Sequence, residues 1–296
     1  MAQELSRTDS IRNGLLQSQR QIQSLLADKD KAAQFMAGAL VVANSKSLSQ
    51  CTPESIVQSL VGIAMADLNI DPSVAHAYIV PYWSPSGSTA QLQISYKGFI
   101  QLMFRAGWMA KAIPVYHCDK FSMSFNGWDT QVTFEPNIDD RDEGDNDWVY
   151  QNLRGVYVVA RHADTKDEYN LFVSKTAIEK LRLNSPNQRA NKNTKPEDKK
   201  RFDAGLPVGI WADWYIEMAQ GKAIKKLAKI LPIGDKRTQT AIAADDKLDQ
   251  GKPVNYSQVA QTGVVADIEE APKTKREQIE QELNEPIDAE SEEVWE

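Results

Sequence analysis

The chain reads as an α+β protein, a small antiparallel β-sheet with a hairpin among several helices. Three observations lead there. Apolar residues recur at helical spacing in 31–44, 55–68, 97–105 and 210–231. Two strand-like runs, 75–83 and 90–96, flank the turn sequence Ser84-Pro85-Ser86-Gly87-Ser88. From 108 to 174, β-branched and aromatic residues dominate.

Residues 1–30 are polar and rich in Gln and Ser, which predicts a flexible N-terminal segment, at most a helix with frayed ends. KAAQFMAGALVVAN, 31–44, predicts a helix. Thr52-Pro53 is a start signal, a hydroxyl cap followed by Pro at the first helical position. Ile56, Leu60, Ile63 and Ala64 then share one helical face, and 69–72 stops the helix. After the hairpin, Phe99, Ile100, Leu102 and Met103 mark a short helix with Gly107 as its stop. Strands are expected at 112–116, 131–134, 156–160 and 169–173, interrupted by an acidic loop at 139–147. A helix at 176–183 precedes an exposed basic loop, 184–207. Trp211, Trp214, Tyr215, Met218, Ile224, Leu227 and Ile230 predict one long helix, ended by Pro232. Beyond about 240 the acids dominate, predicting a disordered C-terminal tail with a short helix at 275–283. Three segments follow: a flexible 1–30, a core 31–240 and an acidic, partner-binding tail 241–296.

The 296 residues make one large domain or two small ones. The net charge of −7, from 34 Lys+Arg against 41 Asp+Glu, speaks against a polyanion partner until it is divided by region. Residues 241–296 hold five basic and fifteen acidic residues, a net of −10, leaving +3 for 1–240. Residues 171–240 alone carry fifteen basic against seven acidic residues, a net of +8. A mildly basic body with an acidic tail points to a nucleic-acid or membrane surface plus an interaction tail. No run of 18 apolar residues exists, so no membrane span is expected. The opening MAQELSRTDS has no basic stretch leading into an apolar one, so no signal peptide is expected. Cys51 and Cys118 form no C-x-x-C, which fits a reducing, cytoplasmic setting.

Several places could carry chemistry. Lys97 and Arg105 stand eight residues apart on the short helix, near one face, with Tyr96 and Phe104 beside them. A helix N-terminus favours anions, and cations with aromatics suit a single nucleic-acid strand. A half-buried helix with solvated charges gives the same pattern. Lys222, Lys225, Lys226 and Lys229 fall at i, i+3, i+4 and i+7, one stripe, with no acid from Gly221 to Leu231. A polyanion would relieve their repulsion; a solvated face is the alternative. Trp211 and Trp214 are core residues or stacking platforms. Tyr82 and Trp83 near the hairpin tip could stack on bases or meet a neighbouring subunit. Arg189 and Lys192 open a basic loop that either clamps a phosphate backbone or is simply solvated. The acidic 139–147 stretch does not fit an EF-hand, because Arg141 and Tyr150 would fall at ligand positions three and twelve. It remains the basis of an alternative reading, a metal-dependent nuclease. His76, His117 and His162 are isolated, and no P-loop, dinucleotide-binding or nucleophile-elbow motif occurs. No catalytic residue, metal ligand or cofactor is therefore expected, and the chain reads as a non-enzyme.

The run Asp67-Leu68-Asn69-Ile70-Asp71-Pro72, then His76-Ala77-Tyr78-Ile79-Val80-Pro81-Tyr82, then Gln91 to Gly98 and on to Gly107, resembles the RecT family of phage single-strand annealing proteins. So does Trp211 to Ala219 with Ala223-Ile224-Lys225-Lys226. The resemblance covers roughly 50–235. It implies an annealing-protein core, similar to RecT and the lambda beta protein, with a small antiparallel sheet packed on helices. It implies a protein that binds single-stranded DNA and the annealed duplex without ATP, as a large ring or helical filament of its own copies. A RecE-type exonuclease and a host single-strand-binding protein are implied partners, reached through the acidic tail. By position, Lys97, Arg105, Lys225 and Lys226 match the family's cations. One departure stands out: Gln220-Gly221, with Lys222 next, replaces the basic pair that usually follows Met-Ala.

Overall fold

The computed structural model describes residues 6–84, 87–127, 129–185, 188, 194–249 and 252–265. It opens on two helices, α1 (Arg7–Leu26) and α2 (Lys29–Ala43). Ser6 accepts from the Asp9 amide, and Asp28 from the amides of Asp30 and Lys31, so each helix has a side-chain cap. Ile11, Leu15, Ile22 and Leu26 are buried along α1. That stripe lies on α3 (Pro53–Ala66), with Gly14 against Val57. The expected flexible 1–30 segment is thus corrected: four apolar residues at helical spacing dock it despite its polar composition.

Thr52 caps α3 by accepting from the Ser55 amide, with Pro53 in the first turn. Its buried residues reach all round the helix from Ile56 to Ala66, so α3 is the central post rather than an amphipathic surface helix. The strands β1 (Ala77–Ser84) and β2 (Gly87–Ile94) form an antiparallel hairpin in register from Ala77↔Ile94 to Ser84↔Gly87. Helix α4 (Tyr96–Arg105) leads into β3 (Trp108–Tyr116), with Gly107 at φ +83° making the reversal. A three-stranded antiparallel sheet has the order β3-β6-β7, where β6 is Leu153–His162 and β7 is Glu168–Ser174.

A second hairpin pairs β4 (Lys120–Asn126) with β5 (Asp129–Glu135). Phe121 lays it on the sheet, 4.9 Å from the Phe172 ring and 5.7 Å from Tyr157. The single small sheet is therefore three antiparallel groups. Helices α5 (Asn146–Asn152) and α6 (Lys175–Leu183) flank β6 and β7. The 184–207 stretch holds a helix, α7 (Pro196–Asp203), rather than loop alone.

Two corrections concern the C-terminal half. The long helix breaks into α8 (Ile210–Asp213) and α9 (Tyr215–Ile230), because Trp214 has φ −135° and ψ 47°. The acidic tail does not start at 241. Asp235 accepts from the Arg237 and Thr238 amides and starts α10 (Lys236–Asp249), which packs on α3 and β2. Then α11 (Tyr256–Thr262) presses the Tyr256 ring on Gly62, where a Cβ would come within 2.7 Å of the ring. The compact unit runs through Val265. The rest of the predicted tail, with its helix at 275–283, lies outside the described residues. Cys51 and Cys118 are both free thiols.

Candidate nucleic-acid interface

The two motif blocks meet where α4 packs beside α9. Ser95 builds the start of α4. Its hydroxyl accepts from the Gly98 amide at 3.0 Å and donates to the Ala75 carbonyl, while its own amide donates to the His76 carbonyl at 3.1 Å. Gly98 is required there, because a Cβ would fall 2.1 Å from the His76 carbonyl oxygen. The turn before β1 and the start of α4 are thereby one unit. Phe99, Leu102 and Met103 face the core, Tyr96 is half-buried, and Lys97 is exposed. Burial pushes the Tyr96 phenol up. Burial, then Arg105 and Lys97, holds the His76 imidazole below its usual range, which places both cations near it.

Across the junction, Gly221 lies beside Tyr96, where a Cβ would make an ordinary contact at 3.8 Å from that of Tyr96. Gln220 donates to the Ala112 carbonyl of β3 at 2.9 Å. The Gln220-Gly221 departure from the family pattern is thus a packing joint between α9, β3 and α4.

The lysine stripe of α9 is largely occupied. Lys225 is buried and pairs with Asp245 and, at 2.5 Å, with Asp249. Lys222 lies 3.8 Å from Asp249, and Lys229 pairs with Asp246. Burial alone would lower the Lys225 ammonium, but Asp245 and Asp249 outweigh it and hold its pKa above the ordinary lysine range. Lys222 goes the other way: burial lowers it and Asp249 recovers only part. The absence of acids from Gly221 to Leu231 is therefore offset at the level of the fold, where α10 supplies three. Tyr82 of β1 takes a hydrogen bond from Gln93. Its phenol is pushed up by burial and then by Asp249, so the hairpin reaches this cluster. The side chain of Trp83 lies outside the described residues.

Arg105 does not stand free beside Lys97. It donates to the Asp67 carbonyl at 2.9 Å and the Ala66 carbonyl at 2.5 Å, and pairs with the Asp67 carboxylate at 2.9 Å. Arg237 takes the carbonyls of Ala64 and Met65 at 2.6 and 2.5 Å. Two guanidinium groups thus satisfy the last carbonyls of α3, at the end where the helix dipole favours cations. Trp211 is also a core residue, 1% exposed and 5.9 Å from Tyr215, so it offers no face to a base. Trp214 at the helix break is 58% exposed. Lys97 and Lys226 are exposed and have no ion-pair partner among the described residues. Arg189 and Lys192 lie outside the described residues.

The acidic 139–147 stretch is spent on local structure. Arg141 makes a forked contact, at 2.9 Å, with Asp119, a buried carboxylate that also accepts from the Tyr116 and Asn137 amides. Asp140 accepts from Asn137 at 2.6 Å, Asp145 caps α5, and Asp147 pairs with Arg201 at 2.7 Å. Among the described residues, no three of His, Cys, Asp or Glu stand where they could hold a metal ion.

Sequence reasoning missed Asp245, Asp246 and Asp249 as partners of the lysines. The signal was present: Asp235 followed by Thr238 is a helix start, and the acids recur at i, i+1 and i+4.

Fold and site define an α+β protein whose basic helix pair, α4 and α9, is the candidate surface for a polyanion. The sequence model of the RecT family matches residues 33–260, and the chain belongs to that family. The match reaches through α10 and into α11. Protein RecT of Escherichia coli (strain K12) is 28% identical over 207 residues, covering 68% of this chain and 66% of that protein. The uncharacterized protein YqaK of Bacillus subtilis (strain 168) is 44% identical over 78 residues, 26% of each chain. The chain thus spans about two thirds of RecT's length and about a quarter of YqaK's. Among the described residues, no helix is long and apolar enough to cross a membrane.

Proposed function

We propose that this protein binds single-stranded DNA and anneals complementary strands in phage-type recombination, as an oligomer and without ATP. The observation that carries the reading is family membership over 33–260, with both motif blocks meeting at α4 and α9. Strand pairing is slowed by phosphate repulsion and by poor presentation of the bases. Cations along the backbone relieve the first, and an extended, ordered strand relieves the second. Neither step needs a covalent intermediate. Lys97 and Lys226 are the proposed phosphate contacts, with Trp214 as a proposed stacking surface. Binding weakens with salt through counterion release, and sequence readout is weak because phosphates, sugars and base faces carry the contacts. An exonuclease or a host single-strand-binding protein is the proposed partner of the acidic segment beyond Val265.

The direct test mixes complementary oligonucleotides with the protein in EDTA and no nucleotide. Faster annealing with strands of unchanged length supports the reading. No acceleration, or Mg²⁺-dependent shortening of the strands, overturns it. No observation favours the nuclease reading, since Asp140, Glu143, Asp145 and Asp147 are engaged in hydrogen bonds, a cap and ion pairs.

A further inference from the structure

The lysine stripe of α9 and the acidic stripe of α10 form a graded clasp. Its inner pair is shut away: the Lys225 and Asp245 side chains are 11% and 6% exposed. Its outer members are open to water. Asp246 and Asp249 are each 38% exposed, Lys229 33% and Lys222 23%. The anchoring of α10 is graded in the same direction. Thr238, Thr240, Ala241, Ile242, Ala244 and Asp245 are buried, and that run ends at Asp245. In the last turn only Leu248 packs on the core, half-buried, and the contacts to α9 are ion pairs.

A carboxylate against a lysine presents what a phosphate presents, an anionic oxygen pair within hydrogen-bond reach of an ammonium. We infer that the last turn of α10 is a built-in competitor for the polyanion: Asp246 on Lys229, and Asp249 bridging Lys225 at 2.5 Å and Lys222 at 3.8 Å, cover the stripe until a phosphodiester backbone displaces them, with Lys225–Asp245 as the fixed hinge-side anchor. The inference rests on the proposed DNA-binding reading and adds regulation to it. Two consequences follow. Affinity for a single strand is held below what the lysine content would give. The salt slope is set by the number of phosphates neutralised, because each phosphate met by a lysine releases its condensed counterion whatever partner that lysine left.

The test measures binding of a fluorescent oligo-dT to the full chain across a salt series. The arms are wild type, Asp246→Asn/Asp249→Asn, and a charge-matched control, Asp139→Asn/Asp142→Asn, in the loop outside the clasp. Thermal melting of each arm checks the fold. The clasp variant should bind about three- to tenfold tighter than wild type, the effect of freeing Lys222 and Lys229 while Lys225 keeps Asp245. Its log–log salt slope should stay within about 0.7 of wild type, one phosphate contact on a single strand, because the same lysines meet phosphate in both. The control should change affinity by less than about twofold, since neither carboxylate pairs with a lysine of α9. Equal tightening in the control, or no tightening in a folded clasp variant, overturns the inference and leaves the DNA-binding reading standing. A variant that binds where wild type does not supports the inference in its strongest form. Failure of all arms to bind at low salt overturns both.

Discussion

Lys225 and Lys226 are neighbours in one motif, yet the fold gives them opposite fates. Lys225 is buried between two carboxylates, and Lys226 points away from the body with no ion-pair partner among the described residues. The same division separates Arg105, which closes the end of α3, from Lys97, which is exposed at the other end of α4. It also separates Trp211, sealed in the core, from the exposed Trp214. Each motif block mixes residues that build the platform with residues that stand on it. A family motif is therefore two patterns superimposed, one structural and one for contact with a partner.

The largest break in that comparison should come from Lys225→Met. It leaves Asp245 buried without its counter-charge, and loss of one partner of a buried pair costs about 3–5 kcal/mol. Urea denaturation should show that loss, with Lys226→Met within about 0.5 kcal/mol of wild type. Trp211→Ala should cost a similar amount, about 3–5 kcal/mol, as a large core truncation. Trp214→Ala should leave the urea midpoint almost unmoved and weaken single-strand binding by about 1–3 kcal/mol if the ring stacks on a base. Arg105→Ala should cost roughly 2 kcal/mol, the worth of charge-assisted bonds to carbonyls that would otherwise end α3 unpaired. If it instead weakens DNA binding at full stability, the structural assignment of Arg105 is wrong.

The smallest effect concerns pH. Burial pushes the Asp249 carboxyl up, but Lys225 and then Lys222 outweigh it and hold it below the ordinary value of 3.8. A depressed folded pKa gives stability that is present above 3.8 and lost as pH falls through the folded value. Carbon-detected NMR titration of the Asp249 carboxyl should therefore give a midpoint below 3.8, and one above it would mean the clasp is open in solution.

What the sequence disclosed follows from where its signals are local. Thr52-Pro53, the turn between β1 and β2, and the apolar spacing of α4 are short-range patterns, and the structure keeps all three elements. Helix α10 offered only its start signal, because its buried positions are Ala, Thr, a single Ile and Asp245, and its acids read as solvated. Strand β4 was missed although Phe121, Met123 and Phe125 alternate with Ser122 and Ser124; that row is half-buried at Phe121 and Met123 and exposed at Phe125. In α1, Gln and Ser outnumber the four apolar residues that dock it. At the site, spacing showed that the lysines share a face. It carried no information about what covers that face, because the covering acids come from another helix.

The central claim is that Lys97 and Lys226, with no ion-pair partner among the described residues, carry the partner, and that Lys225 and Arg105 carry the fold. One measurement tests it most directly: the salt slope of oligo-dT binding for wild type against Lys97→Gln/Lys226→Gln, with urea midpoints recorded alongside. Two lost phosphate contacts should make the slope shallower by about 1.4, at an unchanged midpoint. An unchanged slope with both lysines removed would contradict the account.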